Sequence, residues 1–220
     1  MQRQFEQELE TLKDRILAMA GMVEKALGDA LKALIDRDSD LAQQVIDGDD
    51  LIDDEEIEID QLATEFIVRH QPAAADLRFV VVAIKLGPEL ERIADHAVNI
   101  AERVLYLNDR PMVKPLIDLP RMLRQARAMV SKAMDCYVRR DSDLAWEVLR
   151  NDDEIDALYV QILRELITFM ADDPKTISRS IALIFIARYA ERIADQATNI
   201  AEEVIYLVGG RPVRHQHSED

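Results

Sequence analysis

The stretch Glu91–Leu107, ERIADHAVNIAERVLYL, returns later in the chain as Glu191–Leu207, ERIADQATNIAEEVIYL, with 13 of 17 aligned positions identical. Two copies this similar in one chain mark a duplicated structural unit. At about 100° per residue, Ile93, Ala97, Ile100, Val104 and Leu107 fall in one narrow wedge, the signature of a helix with a core stripe. Glu91, Asp95, Asn99 and Glu102 form a second stripe on the opposite face. The second copy repeats both, with Ile193, Ala197, Ile200, Val204 and Leu207 inside and Glu191, Asp195, Asn199 and Glu202 outside.

Working outward, more of the chain proves doubled. Arg37–Ala42, RDSDLA, matches Arg140–Ala145, and Asp49-Asp50-Leu51-Ile52-Asp53 matches Asp152-Asp153-Glu154-Ile155-Asp156. Helical periodicity covers residues 4–36, 40–69 and 73–107, and again 120–139, 142–171 and 174–208. The expected fold is all-α, a tandem repeat of two antiparallel three-helix bundles with six long helices. The first bundle takes residues 1–109 and the second 120–208. Three prolines and no hydrophobic period make 110–119 a linker, and 209–220 reads as a disordered polar tail. Gly87-Pro88 interrupts the third helix and predicts a kink, whereas the second copy has Ala187-Arg188 there.

Composition narrows the function. The 220 residues carry 27 basic and 43 acidic side chains, a net charge of −16. That excludes a nucleic-acid backbone binder and direct docking on anionic lipid, and favours cations and basic protein surfaces as partners. Scarce aromatics and six glycines fit an all-α chain. The lone Cys136 reads as a small core residue and permits no intrachain disulfide, which fits a reducing cytoplasm. The N-terminus is charged and helical, unlike a signal peptide. The apolar run at 181–187 is too short for a bilayer span of about twenty residues.

Each half carries two acidic i,i+4 pairs. These are Asp49/Asp53 and Glu91/Asp95 in the first, Asp152/Asp156 and Glu191/Asp195 in the second. Alone, such a pair is slightly destabilising, on the order of 0.2–0.5 kcal/mol, and a single one reads as a solvated acidic face. Antiparallel neighbours of similar length would set one pair against the other, and four converging carboxylates make a hard-cation site. Asn99, Glu102, Asn199 and Glu202 extend these sites as second-tier candidates. Glu56 and Asp60 extend only the first, because Tyr159 and Leu163 stand opposite them in the second. Arg92 and Arg192 flank the acids. His215 and His217 lie in the tail and read as unassociated residues.

These motifs, with the Gln71-Pro72…Asp76-Leu77-Arg78 and Arg179…Ala190 approaches to them, resemble the PhoU family of phosphate transport accessory proteins over nearly the whole chain. The resemblance implies a cytoplasmic negative regulator of phosphate uptake and of the phosphate-starvation response. It implies an adaptor, expected to be a homodimer, between the ATPase of a phosphate ABC importer and a sensor histidine kinase. It also implies metal clusters on the eight paired carboxylates, with iron, manganese, magnesium, zinc or calcium as the cation. Gly87-Pro88 and the replacement of His96 by Gln196 depart from strict repetition.

Two other readings compete. A di-metal carboxylate enzyme of the ferritin-like kind needs Glu-x-x-His on two helices. Ile67, Ile93, Pro212 and Arg214 occupy the place three residues before each of the four histidines. A purely structural helical spacer would leave both acidic stripes solvated. No phosphate-binding Gly-rich loop, CxxC or GxSxG motif is present, so the expectation is a protein that binds rather than turns over substrate.

Overall fold

The computed structural model describes residues 2–213. The order is α1 (Gln2–Asp36), α2 (Ser39–Asp47), α3 (Asp50–His70), α4 (Ala74–Asn108), α5 (Asp118–Arg139), α6 (Ser142–Arg150), α7 (Asp152–Asp172), a 3-10 turn (Pro174–Thr176) and α8 (Ile177–Gly209). Six helices span 21 residues or more, as the periodicity predicts. In each copy the expected middle helix is divided: nine residues, an elbow, then 21 more. The elbows fall at Gly48-Asp49 and at Asn151, where Asp47 and Arg150 end the short helices.

The repeated RDSD segment turns the chain into each short helix. Arg37 and Arg140 take left-handed conformations at φ 56° and 53°. The next residue caps the following helix. Asp38 accepts from the Leu41 amide at 2.9 Å, and Asp141 accepts from those of Asp143 and Leu144 at 3.0 Å.

α1, α3 and α4 form the first bundle, and α5, α7 and α8 the second. The opening stripes are buried as expected: Ile93, Ala97, Ile100 and Val104 are fully enclosed, as are Ile193, Ala197, Ile200 and Val204. The bundles share one core, because α4 packs on α8 more extensively than any other pair, with α1 against α5 beside them. Lys85 pairs with Glu203 at 2.7 Å, Asn199 donates to Glu89 at 3.1 Å, and His96 stacks on Tyr189 at 5.8 Å. Numbers rise along α4 as they fall along α8, so this central pair is antiparallel and relates the copies by a pseudo-twofold.

α4 remains helical through Gly87-Pro88. Proline lacks the N–H that would serve the Ile84 carbonyl, at a cost of about 3 kcal/mol in a free helix. The helix persists because Leu86 and Leu90 on either side are fully buried. Gly87 faces α3, where a Cβ would make an ordinary contact with Glu56 Cγ at 3.4 Å. The connecting segment packs rather than floats: Val113 and Leu116 touch the core, and Lys114 bridges to Glu165. Helix α8 runs on to Gly209, and Val213 also packs against the core. His215 and His217 lie outside the described residues.

Candidate metal centres

The elbow places the first acid of each middle-helix pair. Asp49 precedes α3 at its N-terminus and Asp152 opens α7. Helix N-termini favour carboxylates by about 0.3–1 kcal/mol, so each sits where the backbone partly offsets its charge. From there the stripe climbs one turn to Asp53 or Asp156. The buried Ile52 and Ile155 fix the rotation of each helix and leave the acids on its flank.

The antiparallel neighbour completes each cluster. Burial and the charges of Asp53, Asp95 and Asp50 push the Asp49 carboxyl up to about 6. Asp53 is raised by burial and by Asp95, and Glu91 by burial, Asp95, Asp53 and Glu56. In the second copy, burial with Asp195, Asp156, Asp153 and Glu191 pushes Asp152 up to about 6. Glu191 and Asp195 are raised by burial and by acids that include Asp156. Like charges disfavour one another's ionised form through proximity, so the four paired carboxylates of each half lie within electrostatic reach of one another. Glu56 joins the first group, raised by burial, Asp60 and Asp53.

Within these clusters two buried carboxylate oxygens lack donors: Asp49 Oδ1 and Glu191 Oε2. Such acceptors need a proton or a cation, and an all-oxygen set suits hard metal ions. Among the described residues, no three His, Cys, Asp or Glu side chains form a ready ligand set for one ion. An ion would have to draw in carboxylates whose outer members, Asp53, Asp95, Asp156 and Asp195, are solvent-exposed and free to turn.

The second-tier residues are engaged elsewhere. Asn99 donates to the Asp95 carbonyl at 2.7 Å, while Asn199 reaches across the molecular centre to Glu89. Glu102 approaches Arg103 at 3.8 Å, and Glu202 lines a groove with Lys85. Sequence reasoning missed Arg188. Its guanidinium hydrogen-bonds Glu191 and covers the Tyr159 ring at 5.8 Å. The i,i+3 spacing to Glu191 was the available signal. In the first copy Pro88 holds that place and supplies no cation. Arg92 instead pairs with Glu89 at 3.5 Å. His96 faces α8 with Nδ1 buried and unpartnered, and burial together with Arg192 pushes its ring down to about 4.

Fold and site together define an all-α protein of two tandem helical-bundle repeats, each with a carboxylate cluster between its second and third long helices. The PhoU domain model matches the chain twice, at residues 16–104 and 119–204, so the chain belongs to the PhoU domain family. A Pseudomonas aeruginosa protein named phosphate-specific transport system accessory protein PhoU homolog is 44% identical over 214 residues, 97% of this chain and 88% of that one. The Escherichia coli K12 phosphate-specific transport system accessory protein PhoU is 38% identical over 212 residues, 96% of this chain and 88% of that one. The crystal structure of PhoU from Pseudomonas aeruginosa superimposes with a TM-score of 0.91, covering 94% of this chain and 100% of that chain. The phosphate transport system regulatory protein PhoU from Streptococcus pneumoniae, 27% identical, gives 0.88 and covers 95% and 99%. Among the described residues no helix is long and apolar enough to cross a membrane.

Proposed function

We propose that this protein is a metal-binding accessory regulator of phosphate transport, acting by binding rather than by turnover. Its relatives' names supply the transport context, and the paired carboxylate clusters supply the chemistry. In this reading it is a cytoplasmic homodimer that links the ATPase subunit of a phosphate ABC importer to a sensor histidine kinase. It holds signalling down when phosphate is plentiful. The observation that carries metal binding is the gathering of four carboxylates across each helix pair, with Asp49 Oδ1 and Glu191 Oε2 buried and lacking donors.

Four residues would hold metal in each half: Asp49, Asp53, Glu91 and Asp95, then Asp152, Asp156, Glu191 and Asp195. A bound cation would neutralise the repulsion between the helices and stiffen both elbows. Such stiffening would make partner binding depend on metal supply.

The test loads purified protein with Mn²⁺ or Fe³⁺, removes free metal and measures bound metal by mass spectrometry. The wild type is expected to retain metal. Glu91→Ala with Asp95→Ala is expected to lose the first-half share at unchanged helical content. Equal stoichiometry in the two proteins would remove the site assignment. For the regulatory role, pull-down from cells grown in high phosphate should recover the importer's ATPase and the kinase. Recovery of neither would overturn the adaptor reading.

A further inference from the structure

A groove of about 670 Å³ opens beside the elbow between α6 and α7, bounded by α5 and by Glu24 of α1. It adjoins but does not include the acidic cluster. Arg124 and Arg127 line it one helical turn apart. Neither makes an ion pair or hydrogen bond with any described residue, whereas the neighbouring Lys132 is held by Glu147 at 2.7 Å. In a chain of net charge −16, two adjacent guanidinium groups outside any ion pair stand out.

The internal repeat supplies a control within the same molecule. The first copy has the equivalent groove, about 270 Å³, beside the elbow between α2 and α3. Its lining is mainly apolar. Arg124, Gln125, Asn151 and Glu154 stand where the first copy has Gly21, Met22, Gly48 and Leu51. At these four aligned positions the first copy offers no side-chain hydrogen-bonding group, whereas the second offers groups of both kinds. Folding does not require those groups, because the first copy folds without them.

We infer that the second-copy groove binds a small phosphomonoester bearing hydroxyl groups, of sugar-phosphate or nucleotide size. Two guanidinium forks on one helix face match a tetrahedral dianion, which accepts paired N–H bonds from each. The groove also holds acceptors short of donors. Gln125 Oε1 is buried without one, and Glu154 receives only the Gln125 amide at 3.3 Å. Hydroxyls of the ligand would serve these acceptors. The volume lies within the range of about 300–1,000 Å³ usual for small-molecule sites and far exceeds one oxyanion. Glu24, Asp135 and Glu154 in the lining would repel a ligand charged along its whole length, such as polyphosphate or nucleic acid. Gly28 of α1 helps place Arg127, whose guanidinium lies so near that a Cβ on Gly28 would meet it at 3.2 Å.

The test titrates the full chain by calorimetry with glucose 6-phosphate and AMP, alongside inorganic phosphate, glucose and adenosine. The phosphomonoesters are expected to bind saturably, with inorganic phosphate weaker and the unphosphorylated compounds silent. Arg124→Gln with Arg127→Gln should weaken ester binding at least tenfold while bound metal stays the same, which separates this site from the carboxylate clusters. Gln125→Met, the first-copy residue, should weaken the esters but leave inorganic phosphate unaffected. Both arginines are exposed, so the variants are expected to keep wild-type helical content. No saturable ester binding, ester binding undiminished in the arginine variant, or inorganic phosphate binding as tightly as the esters would each overturn the inference.

Discussion

Arg37 and Arg140 occupy the same place in the two copies, both in the left-handed region, yet their side chains work differently. Nη2 of Arg37 donates to the carbonyls of Leu107, Asn108 and Arg110 at 2.7–2.9 Å, closing the C-terminal end of α4. Arg140 crosses to the other half and lies over the Phe79 ring at 5.5 Å. A left-handed non-glycine residue costs roughly 1–2 kcal/mol, so glycine relieves strain at either position. At Arg140 that relief is set against an exposed cation–π contact of about 0.5–1 kcal/mol. Arg140→Gly is therefore expected to be neutral or slightly stabilising. At Arg37 the same change removes the charge-assisted bonding of Nη2, whose two N–H groups are shared among the three carbonyls, a net contribution of about 1.5–3 kcal/mol. Arg37→Gly is expected to destabilise by about 1–2 kcal/mol. Urea unfolding of the pair checks the contrast, and equal effects would show that the bonds to α4 contribute little.

Among the elements, helices α4 and α8 were legible because their buried stripes hold one phase from end to end. The acidic pairs were legible for the same reason, since the opposite face keeps phase too. The elbows were not. Gly48 ends α2 at φ −89°, an ordinary right-handed value, so no left-handed residue marks the break. Buried positions also continue on both sides, through Val45 and Ile52. At Pro88 the helix continues through the proline, held by packing on both flanks. Arg188 escaped notice because its role depends on Tyr159, which only the packing of α7 on α8 brings near. In α1, Gly21 is exposed, and a Cβ there would meet nothing within 4 Å. Gly21→Ala should raise stability by about 0.5–1 kcal/mol through helix propensity and reduced freedom of the unfolded chain. A lower melting temperature for that variant would show that α1 needs the glycine for something other than its backbone.

At the scale of the molecule, the clusters tie stability to pH and to metal in opposite senses. Folding raises the Asp49 and Asp152 carboxyls from 3.8 to about 6. Between these values the folded chain binds more protons than the unfolded one, so stability falls as pH rises through that window and levels above it. The metal-free protein is therefore expected to melt higher at pH 5 than at pH 7.5, with the difference reduced in Asp49→Asn with Asp152→Asn. Metal competes with those protons, so its affinity should fall as pH drops below about 6. The two clusters should not release it together. The first gathers Asp49, Asp53, Glu56, Glu91 and Asp95 with no cation at the place of Pro88. In the second, Arg188 hydrogen-bonds Glu191, and both Arg188 and Arg192 oppose the upward shift of Asp195. A fixed positive charge beside a cation site weakens it, so a chelator titration should empty the second cluster first. Arg188→Ala should then tighten the second cluster and bring the two release steps together. Release steps unmoved by that substitution would mean that the difference between the halves has another cause than this guanidinium.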